Sequence, residues 1–143
     1  MDKIQVIYWS QTGNTKEMAD AIAQGIVEAG KEAEVLEVCD ASVEALKDAT
    51  AFALGCPAMG NEVLEEGEME PFVEEVEKIA SGKNIALFGS YGWGNGEWMQ
   101  DWVERMKNAG ANMVKADGLI CNEAPDSEMI QECKALGKAL ASC

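Results

Sequence analysis

The sequence predicts an α/β fold in three layers, a five-stranded parallel sheet in the order 2-1-3-4-5 with helices on both faces. Three observations carry that expectation. Strand-like and helix-like apolar segments alternate five times along the chain. Most of the strand-like segments are apolar throughout, as in strands buried on both faces. The stretches that follow them are rich in Ser, Thr, Gly and Asn, and open parallel sheets gather ligands beyond the carboxyl ends of their strands. Right-handed crossovers leave few topologies, and with five strands the switch point falls between strands 1 and 3. The 143 residues suit one domain over 1–143, with no linker, repeat or low-complexity stretch.

The elements follow in order. Residues 3–9 have the β-branched and aromatic content of a buried strand, with Ile4, Val6, Ile7, Tyr8 and Trp9. Met18, Ala21, Ile22, Gly25, Ile26 and Ala29 then recur at helical spacing, and Gly30 is a helix stop. Residues 35–38 read as a second strand, and Ser42 as the cap of a short helix through Val43 and Leu46. A third, fully apolar strand covers 51–55. Phe72, Val73, Val76, Ile79 and Ala80 form a helical stripe with Pro71 in its first turn. Residues 85–89 give a fourth strand, and Trp98, Met99, Trp102, Met106 and Ala109 the next helix. A last strand is expected over 113–114 and 119–121, before a final helix carrying Met129, Cys133, Leu136 and Leu140.

Composition narrows the chemistry. The chain has 26 acidic against 11 basic residues, a formal charge of −15, and no His. Sustained phosphate binding by nucleic-acid readers needs a basic face, so nucleic acid and anionic membranes are excluded as partners. A protein partner is expected to present a basic patch, steered by long-range attraction. Without His, Ser-His-Asp and Cys-His catalysis and His-ligated metals are excluded for this chain alone. The five cysteines are odd in number and include no Cys-x-x-Cys pair, as small apolar residues kept reduced would be. The N-terminal residues lack a secretory leader, and the chain is expected in the cytoplasm.

Two loops stand out. Ser10-Gln11-Thr12-Gly13-Asn14-Thr15 follows strand 1 and opens into a helix. Its hydroxyls and unpaired N–H groups suit a phosphate, and equally suit a capped helix start; the same donors serve both. Lys16 follows the loop, but the Gly-x4-Gly-Lys spacing and the Gly-x-Gly-x-x-Gly fingerprint are both missing, so it is neither a Walker loop nor a dinucleotide motif. After strand 4, Gly92-Trp93-Gly94-Asn95-Gly96 carries a Trp that belongs to no apolar periodicity. It can stack on a flat ring or pack on its own helix.

With Tyr8 and Trp9 before the first loop, Gly55-Cys56-Pro57-Ala58-Met59-Gly60-Asn61-Glu62, Gly89-Ser90-Tyr91-Gly92-Trp93-Gly94 and Asn122-Glu123, the chain resembles the short-chain flavodoxins of anaerobic bacteria along its whole length. The resemblance implies the flavodoxin-like three-layer sandwich and one non-covalent FMN. It also implies low-potential one-electron transfer between semiquinone and hydroquinone, in place of ferredoxin, by a monomer with no substrate turnover of its own. Carried over residue by residue, Ser10, Gln11, Thr12, Gly13, Asn14 and Thr15 hold the 5′-phosphate. Ser90, with Tyr91 and Gly92 beside it, lies near the ribityl-phosphate arm, and Trp98 reaches the phosphate through its indole N–H. Trp93 stacks on the outer face of the ring and Met59 on the inner face, beside Pro57 and Ala58. Glu62 accepts the flavin N3–H, and Gly94 and Asn122 line the ring edge. Asn61 stands where relatives commonly have Asp or Ser, and Gln11 where they often have Gly. The same resemblance implies that the peptide joining Gly60 and Asn61 flips on reduction, which a Gly and an Asn tolerate in a tight turn.

Eight of the sixteen residues 62–77 are Glu. Beside a flavin anion each such charge, about 10 Å away in a watery medium, costs roughly 0.4–0.8 kcal/mol. That is roughly 15–35 mV per carboxylate for one electron. The same run also reads as the solvated face of a helix. A quinone reductase on this fold would need a docking site for nicotinamide, and Arg105 is the only Arg. A phosphoacceptor domain would need an Asp after strand 3, where Cys56 stands, and a calcium loop is absent.

Overall fold

A computed structural model of the protein describes residues 3–59, 63–92 and 94–143. Strand β1 (Lys3–Tyr8) buries Ile4, Val6, Ile7 and Tyr8, so both its faces are covered, as the apolar run requires. Helix α1 (Asn14–Glu28) presents Met18, Ala19, Ile22 and Ile26 to the sheet and ends before Gly30, whose φ of 94° stops it. Next come β2 (Glu32–Glu37), a single 3-10 turn at Val38–Asp40 and the one-turn α2 (Val43–Leu46). Ser42 is the N-cap residue of that helix, as expected, although its side chain makes no capping bond. They are followed by β3 (Ala51–Gly55), α3 (Met69–Glu77), β4 (Asn84–Tyr91) and α4 (Glu97–Asn108). The chain closes with β5 (Asn112–Met113), β6 (Leu119–Asn122) and α5 (Ser127–Ala141).

The sheet is parallel in the order β2-β1-β3-β4-β5, with β6 also paired to β4. The expected order therefore holds, and the last strand is, as expected, two pieces, both along β4. β5 pairs with Asn84 and Ile85, Val114 still donates its N–H to the Ile85 carbonyl, β6 pairs with residues 88–91, and residues 115–118 leave the ladder between them. Gly118, at φ 73°, closes that detour with its N–H on the Lys115 carbonyl. Lys115, Ala116 and Asp117 offer no large apolar side chain to hold it in the sheet. Strand β2 starts earlier than the apolar run suggested. As an edge strand it is only half-buried, so Glu32 and Glu34 are admitted to it.

Two apolar layers flank the sheet. One packs Val6, Tyr8, Ala53, Ala86 and Phe88 against α1 and α5. The other packs Ile7, Phe52, Leu54, Ile85 and Leu87 against Val73 and Val76 of α3 and Trp98, Trp102 and Met106 of α4. Helices α1 and α5 approach backbone to backbone. A Cβ on Gly25 would lie 2.1 Å from the Lys134 carbonyl oxygen, and one on Gly137 would lie 2.0 Å from that of Ile22. These contacts fix the position of the α1 N-terminus at the carboxyl edge of the sheet.

Candidate functional site

The strand ends of β1, β3 and β4 meet at one edge, and the loops leaving them enclose a cleft of about 250 Å³. It is lined by Ser10, Gln11, Thr12, Asn14 and Thr15 from the first loop, Pro57, Ala58 and Met59 from the second, and Ser90, Tyr91 and Gly92 from the third. Gly13 is the N-cap of α1 with φ 96°, a left-handed conformation that favours Gly, and its N–H donates to Ser10 Oγ at 3.1 Å. No side chain caps the helix. The first intrahelical bond runs from the Glu17 N–H to the Gly13 carbonyl, so the N–H groups of residues 14–16 have no acceptor within the helix. Of the two readings the loop allowed, the side-chain-capped start is therefore not adopted. The helix terminus is free to take an anion.

Buried hydroxyls lock this loop to β4. Thr15 Oγ1 and Ser90 Oγ lie 3.2 Å apart, and the Ser90 N–H donates to Thr15 Oγ1 at 3.4 Å. The backbone beyond β3 then follows β4. Cys56 and Ala58 donate their N–H groups to the carbonyls of Phe88 and Ser90. Gly89 permits that approach, since a Cβ there would meet the Cys56 carbonyl oxygen at 2.1 Å. Met59 and Val63 exchange two backbone hydrogen bonds, each 2.9 Å long, and so bracket residues 60–62. Gly60, Asn61, Glu62 and Trp93, with the turn, flip, hydrogen-bonding and stacking roles expected of them, lie outside the described residues.

One expected role fails. The Trp98 indole N–H donates to the Cys56 carbonyl at 3.0 Å, and Trp98 is fully buried. Its single donor is therefore committed to the backbone beyond β3 and is not offered to a phosphate. Trp98 also carries Tyr91, ring centroids 5.7 Å apart, and so supports the floor of the cleft from below. Asn122 is exposed, with its Nδ2 3.4 Å from the Tyr91 carbonyl, and Gly94 has φ 84°.

Two residues that the sequence singled out only as part of a stretch have places of their own. Glu123 lines the cleft with φ 59° and gives its N–H to the Tyr91 carbonyl at 2.8 Å. A left-handed Glu leaves no signature in composition or spacing. Glu65 accepts N–H bonds from Gly67, Glu68 and Met69 at 2.7–3.0 Å, organising the turn into α3. Partial burial works to raise its carboxyl pKa, but the three donors outweigh burial and hold it below the usual value.

The electrostatics are one-sided. Among the described residues no cation lines the cleft, and Lys16, at the start of α1, is paired with Asp20 at 3.0 Å. An anion here is held by neutral donors and the helix terminus. The Glu-rich run is partly engaged in structure. Arg105 binds Glu70 through two N–H groups and Glu77 at 2.9 Å, and Glu75 pairs with Lys78. The cysteines are all free thiols, and burial pushes those of Cys56 and Cys133 up to about 12, far from a reactive thiolate.

This donor set fits a flavin mononucleotide: donors for a phosphate at the α1 terminus, and a cleft lined by the 57–59 and 90–92 segments for the rest. Residues 6–137 match the family described as flavodoxin. The chain is 47% identical over 139 residues to a flavodoxin of Clostridium beijerinckii, spanning 97% of this chain and 99% of that one. It is 42% identical over 138 residues to a flavodoxin of Megasphaera elsdenii, spanning 96% and 98%. The solution structure of two-electron reduced Megasphaera elsdenii flavodoxin superposes with a TM-score of 0.89, covering 98% of this chain and 99% of that one.

Proposed function

The chain belongs to the flavodoxin family, and we propose that it holds its FMN in the cleft beyond β1, β3 and β4, with the phosphate on the uncapped terminus of α1. It is an FMN-binding electron carrier of low potential that serves redox enzymes and turns over no substrate of its own. The FMN supplies the one-electron chemistry; the protein's part is to bind, orient and shield it. Ser10 and Thr12 give hydroxyl donors, and the N–H groups of residues 11–15 complete the phosphate cradle. Thr15 and Ser90, tied to one another, fix the width of the cleft at the ribityl arm. Pro57, Ala58 and Met59 flank one side of the ring and Tyr91 and Gly92 the other, with Trp93 stacking outside and Glu62 receiving N3–H. Gly94, Asn122 and Glu123 border the ring edge. The carrier works as a monomer in the cytoplasm, and its partners are redox enzymes with basic docking patches that otherwise use ferredoxin. Among the described residues no helix is long and apolar enough to cross a membrane.

The observation that carries the site is the α1 terminus, which has no side-chain cap and leaves the N–H groups of residues 14–16 without an acceptor in the helix, beside a cleft with no cation in its described lining. Purified protein should show flavin absorption bands and release FMN on acid treatment. Ser10→Ala with Thr12→Val should weaken FMN binding by about one to two powers of ten, one to two hydrogen bonds to a charged group, and leave riboflavin binding unchanged. Equal losses for FMN and riboflavin would remove the phosphate from this loop.

A further inference from the structure

A second concavity, about 660 Å³, runs between α4 and residues 116–120. It exists because the fifth sheet position is broken: residues 115–118 leave the ladder, and Ala116, Asp117 and Gly118 come to line the groove beside α4. Gly118 makes the contact close, since a Cβ there would lie 2.6 Å from Met99 Sδ. Met99, Val103 and Ile120 form an apolar floor. Gln100, Glu104 and Lys107 stand above it on one face of α4, three and four residues apart, with Asp117 among the residues of the opposite wall. The groove starts at Asn95 and Gly96 and reaches Lys107, about 16 Å along the helix.

We infer that this groove is the second contact point for a basic redox protein, seating one of its exposed apolar side chains while a neighbouring lysine or arginine meets Glu104 and Asp117. The inference rests on the electron-carrier reading. Three features favour this occupant. Glu104 and Asp117 have no ion-pair partner among the described residues, so the rim offers carboxylates that are not already neutralised. The chain carries −15 overall, which attracts a basic protein and repels a second copy of itself. Asn95 and Gly96 belong to the loop that also carries Trp93 and Gly94. A side chain seated in the groove therefore places its owner beside the proposed flavin edge. An apolar anchor in a pocket with a polar rim is the arrangement in which a few residues dominate association.

The test uses the FMN-loaded, reduced protein in stopped flow at low ionic strength, with cytochrome c, a lysine-rich haem protein, as acceptor. Ala116→Trp fills the groove, and Asp117→Lys reverses its rim. Glu32→Lys makes the same charge change at the opposite end of the sheet. The bimolecular rate should fall about tenfold for the two groove variants and less than about twofold for Glu32→Lys. Reduction of benzoquinone, which needs no docking surface, should be unchanged in all three. Groove variants that keep the wild-type rate with cytochrome c, or lose no more than Glu32→Lys, would overturn the inference. If Ala116→Trp fails to fold, Asp117→Lys decides alone. A wild-type dimer in sedimentation that Ala116→Trp dissociates would give the groove to a second copy and overturn it too. Wild type that takes up no FMN, or reduces neither acceptor, would instead sink the carrier reading.

Discussion

At the scale of single residues, bonds to backbone decide more than side-chain identity suggests. Trp98 was positioned to serve a phosphate, yet its donor is used 42 residues away on the Cys56 carbonyl. No spacing rule announces that partner, because any carbonyl brought close by the fold would serve. Glu65 is a comparable case, with one carboxylate receiving three N–H groups. Its carboxyl pKa is lowered in the folded state, so its stabilisation is complete above the unfolded value and disappears as pH falls through the folded one. Glu65→Gln should cost about 0.5–2 kcal/mol at neutral pH, as for loss of a helix cap. Thermal unfolding from pH 7 down to pH 3 should then show the variant and wild type converging in acid. A constant difference over that range would show that the charge plays no part.

Between elements, glycine and charge set the geometry. Gly25 and Gly137 let α1 and α5 touch through their backbones, and this contact carries the α1 terminus to its place at the cleft. Gly25→Ala must displace the Lys134 carbonyl, an overpacking cost of about 1–3 kcal/mol. The midpoint of chemical unfolding should shift accordingly, and FMN affinity should fall with it if the α1 terminus moves. On the other face, Arg105 ties α4 to α3 through Glu70 and Glu77. The acidic run after the flavin loop therefore has two uses. Glu65, Glu70, Glu75 and Glu77 have structural partners, whereas Glu66 and Glu68 have no ion pair among the described residues. Glu66→Gln with Glu68→Gln should raise the lower potential of the bound flavin, by roughly 15–35 mV for each charge at about 10 Å. Glu70→Gln with Glu77→Gln should move it less and instead lower stability. Potentiometric titration of both pairs separates the two uses of the run.

For the molecule as a whole, −15 spread over 143 residues means self-repulsion in the folded state and attraction toward basic partners. Salt screens both. Raising ionic strength from about 0.01 M to 0.15 M shortens the screening length from about 30 Å to 8 Å. The unfolding temperature should rise over that interval while the rate of electron transfer to a basic acceptor falls. Opposite signs for the two slopes are the expected result in a paired melting and stopped-flow series. If both rose together, long-range charge would not govern association.

The sequence by itself determined the layers, the strand order and the three loops that meet at the cleft. Buried parallel strands such as 51–55 must be apolar, and helices such as α4 repeat their apolar residues at helical spacing, so both leave local patterns. It also led to the expectation that an anion would be held by neutral donors, because the first loop contains no cation; the structure added that the flanking Lys16 is paired with Asp20. Tertiary structure alone decided where β2 begins, since an edge strand is half-solvated and tolerates Glu32 and Glu34. The two pieces of the last strand were legible as separate apolar runs, but tertiary structure alone set residues 116–120 beside α4 and so opened the groove. It also set Glu123 at the cleft in a left-handed conformation and gave the Trp98 donor to Cys56. These depend on which distant backbone groups the packed layers bring together, and a hydrogen bond across 42 residues has no period to be read.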